Sequence, residues 1–435
     1  MKTVIMAGGK GTRISSVAAD IPKPMIRICG KPVLEHEIEC LRDQGYNDLI
    51  ITVSHLGEQI MDYFGNGSHW GVQIQYFNET TPLGNAGALF KIREQLTDDF
   101  LLLNADSVFD VDFNRFVGFH YDRGGLVTLF THPNNHPYDS GLLIADENGC
   151  VEQWMTKEDV RPQWYHNRVN AGIHIISPKV LDMVGVERDA IGKDKDGKTI
   201  KVDLDRQILK PLCGTGKMFC YDSPEYVKDM GTPDRYIKVC EDFASGRVKT
   251  KNLSNTQKAI FLDRDGTINK YVGFLRDTEE FELIPGVARA VEMINDSEYL
   301  AIVVTNQPVI ARGEVSVDSL EHIHNKMETL LGLEGAYLDA IFYCPHHPHK
   351  GYEGEITELK IDCDCRKPKP GMLLKAAEQY NIDLSKSWMI GDGENDVLAG
   401  KNAGCRTVLL GHGEYGQDIT SNSLLDAVIE VVQRR

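Results

Sequence analysis

Short apolar runs recur along the chain, and between them the apolar positions shift to helical spacing. Runs at 48–53, 72–77, 100–104 and 126–131 predict strands, while 33–44 and 87–95 predict helices between them. The runs 140–145 and 150–155 flank Glu147-Asn148-Gly149, whose residue types predict a hairpin turn. Beyond residue 257 the same alternation returns, with apolar runs leading into Asp263, ending at Thr305-Asn306 and leading into Asp392. The pattern predicts α/β architecture in both halves, with a mixed, partly antiparallel sheet in the first. Between them, 244–255 lacks apolar periodicity and is rich in small and basic residues, which predicts a linker. The expected division is 1–243, a linker at 244–256, and 257–435.

Composition narrows the function classes. At 435 residues, 42% of them hydrophobic and 26% charged, the chain is expected to form two globular domains. A net charge of −17 argues against general binding to nucleic acid or anionic membranes. No apolar stretch approaches the roughly 20 residues of a membrane span, and Met1–Met6 runs directly into a strand with no signal-peptide pattern. Of ten cysteines, seven are scattered and three crowd together, which predicts a reducing cytoplasm and one metal site. The charged stretch 192–198 is expected to be a solvated loop.

The first strand leads into Ala7-Gly8-Gly9-Lys10-Gly11-Thr12-Arg13. Gly8, Gly9 and Gly11 let backbone amides approach a phosphate chain, and no Gly-Lys-Ser/Thr closes the loop as in a P-loop. Arg13 and Lys23 would supply charge to an α-phosphate under attack. A second small-residue loop, Leu83 to Leu89 with Gly84 and Gly87, suits a base or ribose. Asp106 after one strand and Asp229 before a turn could hold one Mg²⁺ across a triphosphate. In this order the motifs resemble the sugar-1-phosphate nucleotidyltransferase family, over roughly residues 1–240. The resemblance implies a Rossmann-like domain with a mixed sheet and attack by a sugar-1-phosphate oxygen on the nucleotide. It further implies that Ala7, Gly8, Gly9, Gly11 and Thr12 bind the nucleotide with Gly84 and Gly87. Arg13 and Lys23 would act on the triphosphate, Asp106 and Asp229 hold magnesium, and Asn170 and Lys157 contact the sugar phosphate. Lys157 stands in Thr156-Lys157-Glu158, where the family has Glu-Lys-Pro.

In Asp263-Arg264-Asp265-Gly266-Thr267 two carboxylates follow a strand, one placed to attack phosphorus and the other to move the proton of the leaving oxygen. With Thr305, Lys367 and Asp392, this order resembles the haloacid-dehalogenase superfamily of phosphatases, over roughly 257–433. The resemblance implies a Rossmann-like domain with a parallel sheet. It makes Asp263 the nucleophile, Asp265 the acid/base, and Thr305, Asn306, Arg366 and Lys367 the phosphate-binding set. Asp263, Asp265 and Asp392 would hold Mg²⁺, with Asp396 in support. Cys344, His346, Cys363 and Cys365 form a Cys₃His set suited to structural Zn²⁺, with His347 and His349 as alternative nitrogens. That loop, with Cys365-Arg366-Lys367-Pro368, resembles the heptose-1,7-bisphosphate and histidinol-phosphate phosphatases, although Pro308-Val309 replaces their Ser-Gly. Fusion to a transferase favours the sugar, because heptose 1-phosphate is a transferase acceptor and histidinol is not. The first half then resembles the guanylyltransferases of the heptose pathway. GTP and sugar phosphates are the expected partners, and the oligomeric state stays open.

Overall fold

The structure is a computed structural model that describes residues 1–8, 20–156, 158–183, 191 and 200–434. It forms two compact units. The first comprises Met1–His132, Leu143–Trp154 and Asn170–Asn252; the second comprises Pro133–Leu142, Met155–Val169 and Leu253–Arg435.

In the first unit, Thr3–Met6 is the centre of a mixed sheet. It pairs in parallel with Asp48–Val53 on one side and with Phe100–Asn104 on the other. Gln73–Asn78 extends the parallel part, and Val169–Ile176 runs antiparallel to Phe100–Asn104. Leu142–Ala145 and Val151–Met155 continue that edge as neighbours, so the expected hairpin forms, with Gly149 at φ +78 in its turn. The helix Val33–Asp43 buries Val33, Leu34, Ile38 and Leu41, spaced to present one apolar stripe. The helix expected over 87–95 is shorter. Gly87–Lys91 is helical and Arg93–Gln95 is a separate tight turn, in which the Arg93 guanidinium donates to the Leu96 carbonyl.

The second unit is built on a parallel sheet in the order Ala340–Cys344, Tyr299–Asn306, Lys258–Leu262, Trp388–Gly391, Arg406–Leu410, Ile419–Ser421. Chain order reverses beside Lys258–Leu262, so the carboxyl end of that strand opens at the crevice where such sheets bind ligands. The helix Val317–Leu333 is capped by Ser316, whose hydroxyl accepts from the Ser319 amide. Its buried stripe includes Leu320, Ile323, Met327 and Leu331, but also His324 and Glu328. Glu328 and the adjoining Thr329 meet the excursion Met155–Val169. His166 Nδ1 lies 2.6 Å from Glu328 Oε2, and the Thr329 hydroxyl accepts from the Tyr165 amide while donating to the Tyr165 carbonyl.

The stretch 244–256 is more structured than a bare linker. Arg247–Thr250 is helical, Arg247 pairs with the buried Asp242 at 2.7 Å, and Val248 and Leu253 are buried in separate apolar clusters. The charged stretch expected as a loop at 192–198 lies outside the described residues. No helix among the described residues is long and apolar enough to cross a membrane.

Gly84 sits at φ +85, and a Cβ there would lie 2.3 Å from the Val202 carbonyl oxygen. Gly84→Ala therefore combines a disfavoured backbone with a collision against rigid main chain. We expect it to lower the calorimetric midpoint of the first unit by about 5 °C or more.

Two candidate active sites

At the carboxyl end of Lys258–Leu262, the Asp263 amide donates to the Ile390 carbonyl, which ties the chain to the neighbouring strand just where the aspartate emerges. Asp263, Asp392 and Asp396 converge, with one oxygen of each within 4.8 Å of the others. Gly266, at φ +86, makes the approach possible, since a Cβ there would lie 2.0 Å from Asp392 Oδ2. Lys367 is buried among them, its Nζ 2.6 Å from Asp263 Oδ1 and 2.6 Å from Asp396 Oδ1. Burial pushes the Asp263 carboxyl up, and the Lys367 ammonium opposes that shift. Asp392 is pushed up to about 6, chiefly by burial and then by Asp263. Three crowded acidic groups beside one ammonium leave charge to be neutralised, which fits a divalent cation bound by oxygen.

Asp265 turns elsewhere. Its carboxylate accepts from Arg264 Nη2 at 3.0 and 2.9 Å, from Asn269 Nδ2 at 3.1 Å and from Gln307 Nε2 at 2.9 Å. Expected among the metal ligands, its side chain is absent from the converging set, because the adjoining guanidinium and two amides engage both of its oxygens. Asp396, expected in support, is in the set. Thr305 Oγ1 accepts from Gln307 Nε2 at 2.9 Å, so Gln307 joins two predicted residues and was itself missed. The Asn306 side chain is spent on the Lys367 main chain, donating to its carbonyl and accepting from its amide, both at 3.0 Å. It positions the lysine. Arg366 donates to the His346 carbonyl at 3.2 Å, which joins the phosphate-side loop to the cysteine cluster.

In that cluster Cys344, His346, Cys363 and Cys365 bring one donor each within 4.8 Å of one another. The sulfurs are 3.2–3.5 Å apart, too far for a disulfide, and all ten cysteines are free. A tetrahedral site with bonds of about 2.3 Å needs sulfurs about 3.8 Å apart, so a small expansion would accommodate an ion. The hydrogen bond it shares with Cys344 pulls the Cys365 thiol down to about 5, toward the thiolate that a metal requires. His347 instead uses Nδ1 on the His349 carbonyl.

The first unit gathers its carboxylates by strand pairing. Tyr226–Asp229 runs antiparallel to Ser107–Asp110 with Asp229 opposite Ser107, and the Met230 amide reaches the Asp106 carbonyl at 3.4 Å. Lys23 Nζ lies 3.1 Å from Asp106 Oδ2. Arg235 Nη1 spans both oxygens of Asp229 at 3.0 and 2.7 Å, a partner the sequence reading missed. Both carboxylates thus already bind cations, and two oxygens donated from adjoining chains fit a Mg²⁺ bridging a triphosphate. Ala7 is buried and its amide donates to the Thr52 carbonyl at 2.9 Å, while the Gly8 carbonyl accepts from Ser54 Oγ at 2.6 Å. Gly87 opens its helix beside Gly84, and Asn85 Oδ1 accepts from the Leu204 amide at 2.8 Å. Asn170 Oδ1 accepts from the Gly172 amide at 3.2 Å and from His174 Nε2 at 3.1 Å. Gly9, Gly11, Thr12, Arg13 and Lys157 lie outside the described residues.

The nucleotidyl transferase family model matches residues 2–246, and a HAD-hydrolase-like model matches 364–432. The D-glycero-beta-D-manno-heptose-1,7-bisphosphate 7-phosphatase of Haemophilus ducreyi is 41% identical over 181 residues, 40% of this chain and 97% of that one. The chain belongs to both families. On the transferase side, the UTP–glucose-1-phosphate uridylyltransferase of Synechocystis sp. is 36% identical over 208 residues, 44% of this chain and 53% of that one. The mannose-1-phosphate guanylyltransferase catalytic subunit beta of Drosophila melanogaster is 33% identical over 240 residues, 54% of this chain and 61% of that one. The chain thus spans little more than half the length of these two transferases. It is a nucleotidyltransferase joined to a HAD-type phosphatase, and the two geometries above belong to one each.

Two measurements test these sites. Lys367→Met leaves buried carboxylates without their cation; it is expected to cut phosphate release by about 10³-fold with transferase turnover unchanged. His174 is fully buried and pulled down to about 3 by that burial, with Nδ1 lacking a partner. It stays neutral in the fold, whereas the unfolded chain takes up its proton below about pH 6.5. Stability of the first unit should therefore fall as pH drops from about 6.5, seen as a declining thermal midpoint. His174→Gln, which keeps an N–H for Asn170, should flatten that decline.

Proposed function

We propose that the chain performs two consecutive steps of nucleotide-activated heptose synthesis. The phosphatase module, expected at 257–435, removes the C7 phosphate of heptose 1,7-bisphosphate. The transferase module, expected at 1–243, then joins heptose 1-phosphate to GMP from GTP, releasing pyrophosphate. The observation that carries this reading is the 41% identity to a heptose-bisphosphate 7-phosphatase across 97% of its length, in a chain whose other half is a nucleotidyl transferase. The phosphatase product is then the acceptor for the other half. We place the enzyme in the cytoplasm, in keeping with its free thiols.

In the phosphatase step an Asp263 oxygen attacks the C7 phosphorus and the phosphorus–O7 bond breaks, while a proton from Asp265 goes to O7. Water then attacks the aspartyl phosphate, its proton passes to Asp265, and inorganic phosphate leaves with Asp263 restored. Thr305 and Lys367 hold the phosphoryl oxygens, Lys367 serving at rest as the counter-charge to Asp263. Mg²⁺ at Asp263 and Asp392, beside Asp396, would neutralise charge on the transferring group. In the transferase step the sugar-phosphate oxygen attacks the α-phosphorus of GTP and the bond to the β-phosphate oxygen breaks. Lys23 and Arg13 stabilise the developing charge, Asn170 orients the sugar together with Lys157, and Asp106 with Asp229 would hold a second Mg²⁺. Zn²⁺ in the Cys₃His cluster would staple the loop that carries Arg366 and Lys367.

The guanylyltransferase relative supports GTP, and the uridylyltransferase relative favours UTP as the second reading. Purified protein with Mg²⁺ and heptose 1,7-bisphosphate, offered each NTP in turn, separates them. Phosphate release followed by pyrophosphate with GTP is expected. Pyrophosphate with UTP alone would replace the base, and phosphate without pyrophosphate under every NTP would overturn the second step. Metal analysis should find one zinc per chain, lost in Cys363→Ser together with most phosphate release.

A further inference from the structure

Among the described residues Arg264 is the largest fully buried side chain, and a guanidinium without water needs an acceptor for each donor and an anion for its charge. Nε and Nη2 point to Asp265, at 3.3 Å and at 3.0 and 2.9 Å. Nη1 points the other way, to His324 Nε2 at 3.3 Å. Arginine can only donate, so Nε2 must be the bare nitrogen of a neutral imidazole carrying its proton on Nδ1. Burial, and then the charge of Arg264, push the His324 pKa well below its ordinary value, in agreement with that tautomer.

His324 occupies an apolar stripe where leucine would pack, and its helix is fixed one turn later by Glu328 and Thr329 on the backbone and side chains of Tyr165 and His166. The imidazole is therefore held by rigid structure on one side and faces the guanidinium on the other. We propose that His324 is a positioning residue of the phosphatase step, whose bare Nε2 anchors Arg264 and thereby fixes the Asp265 carboxylate. The inference rests on the reading of Asp265 as the group that moves the proton. Without this anchor the guanidinium loses its only acceptor from the helix Val317–Leu333 among the described residues. Asp265 is then held by Asn269, Gln307 and a guanidinium no longer fixed at its far end.

The test uses the full chain. His324→Leu is expected to lower kcat on the sugar bisphosphate about tenfold or more, with KM within about twofold. The first-turnover release of p-nitrophenol from p-nitrophenyl phosphate, whose leaving group needs little proton help, should fall much less. His324→Gln keeps an acceptor and should restore kcat to within about threefold of the parent. Unchanged kcat in His324→Leu, or equal loss in the leucine and glutamine variants at matched melting temperatures, would overturn the proposal. Independently of any variant, ¹⁵N-histidine spectra of the parent should show His324 with Nδ1 protonated and Nε2 bare; a protonated Nε2 would also overturn it. If the parent hydrolyses p-nitrophenyl phosphate but not the heptose substrate, the substrate reading fails and the positioning role is still decided by the aryl ester and the spectra.

Discussion

Lys367 lies 2.6 Å from two carboxylates that face a third, and much of the second unit is arranged to keep its ammonium there. Three acidic groups gathered where two neighbouring strands end and a helix begins repel one another, and the two buried ones, Asp263 and Asp396, lose hydration. A fold tolerates that combination only with a cation in their midst. The Asn306 amide grips the main chain of Lys367 on both sides. Next to it, Arg366 is tied to the cysteine cluster. The cluster, whose Cys365 stands two residues before Lys367, is thus a mechanical support for the ammonium beside Asp263. Gly266 and Gly391 complete the arrangement by removing side-chain bulk from the paths of Asp392 and Asp396.

The first unit meets the same electrostatic problem more loosely. Asp106 and Asp229 arrive on two antiparallel strands, each with its own cation, and both are considerably more exposed than Asp263 and Asp396. Phosphoryl groups with their own metal enter and leave a nucleotide site, so partners that can be exchanged are useful there. Buried carboxylates such as Asp263 and Asp396 gain more from a counter-charge fixed in place.

Much of both sites was legible because chemistry sits at strand ends. Apolar runs placed Asp106, Asp263, Thr305 and Asp392 at such ends, and the structure finds strands there. Three features were not legible, for one physical reason: each depends on a side chain choosing between partners. Asp265 could face a metal or an arginine, Asn306 a phosphate or a main chain, and Asp229 could gain Arg235 only once the turn at Gly231 had formed. Spacing carries no information on those choices. His324 and Glu328 are an intermediate case, since polar residues on the stripe of Leu320, Ile323, Met327 and Leu331 are visible in the sequence as breaks in its apolar pattern. The partners that make those breaks tolerable are distant in sequence, Arg264 lying 60 residues before His324 and His166 lying 162 before Glu328.

The excursion that brings Tyr165 and His166 to the helix Val317–Leu333 has a consequence for ancestry and engineering. A gene fusion at a linker would leave each half exchangeable, but here a piece of the earlier half has become part of the later half's architecture. Grafting another phosphatase after residue 252 would strand Tyr165 and His166 without Thr329 and Glu328. Expressing 253–435 alone would leave a buried carboxylate without its histidine. A boundary cut for engineering therefore has to keep 155–169 with the later half.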